Sequence, residues 1–271
     1  MPIKMNEQEL LKSAIAAAIS GGTEILDIYA QEFDVEFKED KSPLTLADRN
    51  AHEAICKVLN ATRLPILSEE GGNFPYEVRK DWKRFWLVDP LDGTKEFVNR
   101  NGEFTVNIAL VVNQKALIGV ILVPLSGLLY FASRSAGAFK IVLEGQDDFN
   151  FEKLMKEAIS LPLPDIPQSL KVVGSRSHLS KETSDFIQNL QKTEPNLEFV
   201  SVGSSLKLCL IAEGRAHIYP RFGPTMEWDT AAGQAIVEAS GGKVVQAGSE
   251  EAVLYNKPDL LNPWFVAIRP R

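Results

Sequence analysis

Apolar residues at Leu11, Ile15, Ala18, Ile25 and Tyr29 recur mostly every third or fourth position, which predicts an amphipathic helix from Asn6 to about Gln31. Asn6 caps it, with Glu9 three residues on. Gly21 and Gly22 interrupt the pattern. Each costs roughly 1 kcal/mol relative to alanine, so a bend or a close packing contact is expected there. A second helix is expected from about Leu46 to Leu59, with Thr45 and Asp48 at the spacing of a capping box.

The rhythm then changes. The runs LPIL, FWLVD, FTVNIALVV, ALIGVILVP, GLLYFAS and GAFKIVL are apolar, short and separated by turns, which predicts an antiparallel meander. The stretch between Ser133 and Pro167 is first acidic and then proline-rich, so the join between two parts of the chain is placed there. That divides the chain into an α+β part, residues 1–150, and an α/β part, residues 151–271. In the second part strands such as LKVVGS, EFVSVG and AHIYP alternate with helices such as SKETSDFIQNLQK, SSLKLCLIAEG and TAAGQAIVEASGG. Such alternation is the mark of an α/β fold.

Composition narrows the function. The net charge of -7 over 271 residues, with no basic stripe, argues against a nucleic-acid polymer as partner. An anionic ligand would need a cation between itself and this protein. Cys56 and Cys209 lie in apolar helical contexts without a CxxC partner and read as buried thiols of a reducing compartment. The N-terminus lacks the apolar core of a signal peptide, and no apolar run is long enough to span a membrane, so a cytoplasmic location is expected.

The chemistry concentrates in WLVDPLDGTKEF, Trp86 to Phe97. Asp89 ends an apolar strand, Pro90 turns the chain, and Asp92 stands where it would cap a helix opened by Gly93 and Thr94. Open N–H groups at a helix start favour an anion, and a nearby carboxylate pair suits a hard divalent cation such as Mg²⁺. A bare D-x-x-D is equally well a strand end and a cap.

The full string is more specific. WLVDPLDGTKEF, with SPLTLAD, LSEE and WDTAAGQAIVEASGG in the same order along the chain, resembles the motifs of the inositol monophosphatase superfamily of Mg²⁺-dependent, lithium-sensitive phosphatases. The stretches GSRSH, GSSLKLCLIAEGRAHIYPRFGPT and LLNP look most like the bacterial 3′(2′),5′-bisphosphate nucleotidases of sulfur assimilation. The resemblance runs from about Ser42 to the C-terminal end.

It implies a layered αβαβα sandwich and two or three Mg²⁺ ions. The ligands it implies are Glu69, Asp89, the Leu91 carbonyl, Asp92 and Asp229, with Glu70 as a second candidate for the glutamate. Four carboxylates and a phosphate need cations, because each like-charge pair at ~4 Å costs on the order of 4 kcal/mol at an effective dielectric of 20. Asp229 could equally be a helix cap.

Asp48 and Thr94, with Glu69, are the implied catalytic residues for in-line attack by an activated water, although Asp48 also has the capping-box reading. Substrate contacts are expected from Glu69, Leu91, Asp92, Gly93, Thr94 and Asp229 around the reacting phosphate. Ser204, Lys207 and Arg221, and more weakly His178, are expected to meet the nucleoside and its second phosphate. The implied reaction is removal of the 3′-phosphate of adenosine 3′,5′-bisphosphate, and also of its sulfated precursor. Inositol or sugar phosphates are the alternative substrates, and a non-catalytic phosphate-binding module the alternative class. The resemblance leaves open a monomer or a homodimer, and a peripheral association with the inner membrane face.

Overall fold

The computed structural model describes residues 5–31, 43–72, 74–144, 149–165, 167–175 and 180–270. Helix α1 (Glu7–Tyr29) starts as the sequence predicts: Asn6 Oδ1 accepts the Glu9 N–H at 2.9 Å, and Glu9 accepts the Asn6 N–H at 2.7 Å. The helix continues through Gly21 and Gly22, whose role is close packing. A Cβ on Gly21 would lie 2.7 Å from Ile55 Cδ1, and one on Gly22 2.7 Å from Leu122 Cδ2. The two glycines let α1 nest between helix α2 (Pro43–Leu59) and the sheet behind it.

Helix α2 begins earlier than the sequence suggests. Proline is well suited to a first helical position, where no N–H is needed. Thr45 and Asp48 therefore lie inside the helix and not at its start.

The first sheet contains β1 (Ile66–Ser68), β2 (Arg84–Asp92), β3 (Thr105–Val112), β4 (Lys115–Val123), β5 (Leu128–Ser133), β6 (Gly137–Val142) and β7 (Ile159–Ser160), in that spatial order. From β2 onward it is the predicted antiparallel meander. β1 departs from it and pairs parallel with β2. Parallel neighbours cannot be joined by a hairpin. The connection instead carries a short helix, α3 (Tyr76–Arg79), back to the start of the sheet. Helix α4 (Thr94–Val98) follows β2, and α5 (Phe151–Glu157) precedes β7. Phe151 and Leu154 of α5 join the core beneath α1.

The second sheet has β8 (Lys171–Ser175), β9 (Glu198–Val202), β10 (Ile218–Arg221), β11 (Lys243–Gln246) and β12 (Phe265–Ile268) in the order β11-β12-β10-β8-β9. Helices α6 (Lys181–Thr193), α7 (Leu206–Glu213) and α8 (Glu227–Ala239) belong to this half. Strand alternation sorts the cores, since successive side chains point to opposite faces. In β2, Trp86 and Val88 face α1 and α2, whereas Phe85 and Leu87 face α7, α8 and the second sheet. With α6 packed on β10, the layers run α1/α2, first sheet, α7/α8, second sheet, α6. This is the αβαβα sandwich, of α/β class, that the motifs imply.

Cys209 is buried as predicted, but Cys56 is only half-buried, its Sγ 3.7 Å from the His52 ring. Among the described residues no helix is long and apolar enough to cross a membrane.

Candidate active site

The site begins at two strand ends. Ser68 stands opposite Val88 in the parallel β1–β2 ladder, and the Glu69 N–H donates to the Val88 carbonyl at 3.1 Å. Glu69 and Asp89 therefore emerge side by side. On the other side of β2, the ladder to β3 slips between Asp89 and Asp92. β2 consequently continues to Asp92 instead of stopping at Asp89, with the Leu91 N–H donating to Asp89 Oδ1 at 3.1 Å.

The residue capping α4 is Gly93, not Asp92 as the sequence suggests. Its φ of 98° is left-handed, and a Cβ there would lie 2.1 Å from Ser204 Oγ. Only glycine meets both demands. Thr94, the first residue of α4, is exposed to the cleft.

Asp229 arrives from the far half on the first turn of α8. It is not the cap but the third residue of the helix, and its Oδ2 accepts the Met226 N–H at 2.8 Å. One carboxylate oxygen from each of Glu69, Asp89 and Asp229 lies within 4.8 Å of the others. Asp92 stands beside this trio, with its Oδ2 3.0 Å from Ser205 Oγ and 3.5 Å from Thr105 Oγ1.

Among the described residues none of these acids forms a salt bridge, although Arg221 offsets part of the charge of Asp229. Burial first, and then the charges of Asp92 and Glu69, hold the Asp89 carboxyl well above the usual carboxylate range. Asp229 is pushed up to about 7 by burial and by Asp92, against the pull of the Met226 N–H. Glu69 is raised by its surroundings and by Glu70 and Asp92, although its side chain stands exposed at the rim. The Trp228 indole N–H favours the charged form of Glu69, but its geometry falls short of a full hydrogen bond. Asp48, half-buried on α2, is pushed up to about 8 by burial and by the charges of Glu70 and Glu69. A set of oxygen ligands this short of positive charge fits a hard divalent cation.

Beside the acids opens a cavity of about 310 Å³. Asp92, Gly93, Thr94 and Asp229 line it together with Ser204, Lys207 and Arg221. The motif residues from the two halves thus share one hollow. Ser204 has a left-handed φ of 43° and donates its hydroxyl to the Asp92 carbonyl at 3.0 Å.

The Lys207 ammonium is almost wholly buried, donates to the carbonyls of Ser204 and Val202, and lies 5.7 Å above the Tyr219 ring. Burial lowers its pKa to about 8, while the charge of Asp92 works the other way. Arg221 donates through Nη2 to the Pro224 carbonyl at 2.9 Å, but its buried Nε has no hydrogen-bond partner among the described residues. His178 lies outside the described residues.

Sequence reasoning missed Thr105, Asn107 and Ser205, which touch or support Asp92. The signal was present, because Asn107 is an amide in the middle of the apolar run FTVNIALVV.

Comparisons with known proteins agree with this geometry. The family model described as inositol monophosphatase family matches residues 6–266. The 3′(2′),5′-bisphosphate nucleotidase CysQ of Escherichia coli (strain K12) is 40% identical over 260 residues, 94% of this chain and 98% of that protein. The crystal structure of CysQ from Bacteroides thetaiotaomicron, a bacterial member of the same family, superposes with a TM-score of 0.92 at 51% identity, covering 98% of both chains. An inositol monophosphatase from Anabaena (Nostoc) sp. PCC 7120 shares the fold, with a TM-score of 0.72 at 22% identity over 97% of this chain and 92% of that one. Members of the family depend on metal, and the acidic trio is a place where this chain could hold one. With the match extending over nearly its whole length, this chain belongs to the inositol monophosphatase family.

Proposed function

We propose that this protein is a Mg²⁺-dependent phosphomonoesterase that removes the 3′-phosphate of adenosine 3′,5′-bisphosphate, giving AMP and phosphate. The sulfated precursor, 3′-phosphoadenosine 5′-phosphosulfate, would be a second substrate. The reading rests on one observation above all: Asp229 of the carboxylate trio and its neighbour Asp92 line a cavity whose wall also carries Arg221 with an unpartnered buried N–H. A substrate with two anionic groups would meet the acids through metal at one end and a guanidinium at the other. The relatives named as nucleotidases at 40% identity support the choice of substrate.

Glu69, Asp89, Asp92, Asp229 and the Leu91 carbonyl would hold two or three Mg²⁺ ions. Bound there, Mg²⁺ would neutralise the acids and the phosphate and make water a stronger nucleophile. The chain's own residues supply the rest. Gly93 lets Ser204 close against the turn, and Thr94 at the start of α4 would orient the attacking water by its hydroxyl. Asp48 would act as the base for that water; burial and the charges of Glu70 and Glu69 raise its affinity for a proton. Lys207 would shape the turn that presents Ser204, adding positive charge near the second phosphate. The same reading has the enzyme act in the cytoplasm on a small molecule.

The test is phosphate release by the purified protein, with Mg²⁺ or with chelator, from adenosine 3′,5′-bisphosphate and from inositol 1-phosphate. The expected result is Mg²⁺-dependent release with a clear preference for the nucleotide. A preference for inositol 1-phosphate would overturn the substrate assignment.

A further inference from the structure

Beneath the acidic cleft lies a second polar group that water does not reach. Thr105, Asn107 and Ser205 are 0%, 1% and 4% exposed. They come from both halves of the molecule: Thr105 and Asn107 from β3, and Ser205 from the turn entering α7. In the β2–β3 ladder Asn107 stands opposite Asp89, and Thr105 opposite Asp92. A buried amide without partners costs about 1–3 kcal/mol, so a strand otherwise made of Val106, Ile108 and Leu110 gains nothing from one unless it is bonded.

The bonds run in one direction. Thr105 Oγ1 lies 3.1 Å from Asn107 Oδ1, Asn107 Nδ2 lies 3.0 Å from Ser205 Oγ, and Ser205 Oγ lies 3.0 Å from both Asp92 Oδ2 and the Asp229 carbonyl. A hydroxyl has one proton to donate. Asn107 Oδ1 can only accept, so Thr105 donates to it as the nearer of its two acceptors, the other being Asp92 Oδ2 at 3.5 Å. Asn107 Nδ2 can only donate, so Ser205 accepts from it and passes its own proton onward. Of its two acceptors, the carboxylate is the stronger. The opposite orientation of the amide would turn the Ser205 proton toward Asn107 and leave two acceptors, Ser205 Oγ and Asp92 Oδ2, facing each other at 3.0 Å. The chain is therefore Thr105 to Asn107 to Ser205 to Asp92, each bond polarising the next.

We infer that Ser205, aligned by Asn107 and Thr105, is a positioning residue that selects which oxygen of Asp92 serves the metal. It holds Oδ2 and leaves Oδ1 for coordination. The inference rests on the reading of Asp92 as a ligand. Because Asn107 and Ser205 come from opposite halves, the aiming of Asp92 depends on the contact between them.

The experiment is Mg²⁺ binding to the full chain by calorimetry, with urea unfolding in chelator as the separate measure of folding. Ser205→Ala should bind Mg²⁺ roughly ten-fold or more weakly; its metal-free unfolding midpoint, lowered by the partner lost to the buried Asn107 amide, shows separately that it folds. Asn107→Ala should weaken binding in the same sense, and the double variant should be no weaker than Ser205→Ala alone. Asp92→Asn should also lose affinity.

Wild-type affinity in Ser205→Ala, with Asp92→Asn impaired, would overturn the inference alone. So would losses that multiply in the double variant. Wild-type affinity in Asp92→Asn would remove the ligand reading and the inference with it. Should Ser205→Ala not fold, Thr105→Val keeps the side-chain shape and removes the first donor; unchanged Mg²⁺ affinity there would overturn the inference equally.

Discussion

Asp229 Oδ2 accepts the Met226 N–H at 2.8 Å while the same carboxylate stands within 4.8 Å of Glu69 and Asp89. One side chain closes the first turn of α8 and faces the acidic cleft. These two roles can be separated. Asp229→Asn keeps an oxygen for the Met226 N–H and removes a charge whose ionisation burial opposes, so without metal at neutral pH it should be at least as stable as wild type. Mg²⁺ affinity and phosphate release should both collapse. Asp229→Ala should lose the helix contact as well, which chelator-treated urea unfolding of the two variants would reveal.

The acids also make stability depend on pH in a direction opposite to the usual carboxylate. Folding raises the Asp229 pKa from 3.8 to about 7. The native state therefore holds a proton that the unfolded chain releases, and this contribution to stability falls as pH rises from about 4 to about 7. Without metal, the melting temperature should drop between about pH 5.5 and pH 8, and Asp229→Asn should flatten that slope. Added Mg²⁺ should raise the melting temperature more at the higher pH, where the carboxylates are ionised. A Mg²⁺ effect larger at the lower pH would contradict the metal assignment.

Arg221 should affect specificity and leave general catalysis alone. It lines the same cavity as Asp92 and Asp229, and its buried Nε has no hydrogen-bond partner among the described residues. Charge-assisted hydrogen bonds are worth about 1.5–3 kcal/mol, so Arg221→Ala should lower kcat/KM for adenosine 3′,5′-bisphosphate by roughly 10- to 150-fold. Its effect on inositol 1-phosphate should be small. Steady-state kinetics on both substrates decides the matter, and an equal loss on both would place Arg221 outside the second-phosphate site.

Gly93 tests the turn between strand and helix. Alanine there must hold a φ of 98° and place its Cβ 2.1 Å from Ser204 Oγ. Gly93→Ala should cost more than about 1 kcal/mol in urea unfolding, and should lower activity by displacing the Ser204 turn.

Periodicity was enough for the longer helices, the meander and the α/β alternation of the second half, because burial of one face leaves its mark on every third, fourth or second residue; the αβαβα layering came from the family resemblance. Register left no such mark. Nothing in LPIL says that β1 lies parallel to β2, yet that pairing brings Glu69 to Asp89. The approach of Asp229 to both was legible only through the family resemblance, since long-range contacts have no local signature. Caps were misread where competing residues were close by: Pro43 draws the start of α2 ahead of Thr45, and the positive φ at Gly93 takes the capping place from Asp92. Asn107 stood out in its apolar strand as an unexplained amide, but its partner Ser205 is 98 positions away along the chain.

The parallel pairing of β1 and β2 has a further consequence. Glu69 and Asp89 are neighbours because a backbone ladder makes them so, and one cannot retreat from the other without breaking main-chain hydrogen bonds. Their mutual repulsion is overcome once, when the sheet forms, and is maintained by Trp86, Val88 and the core around them. An arriving cation therefore finds this pair already assembled and has no disordered loop to gather around itself. Its affinity is set by preorganisation of the sheet, so substitutions deep under β2 that loosen the ladder should weaken metal binding without touching a single ligand.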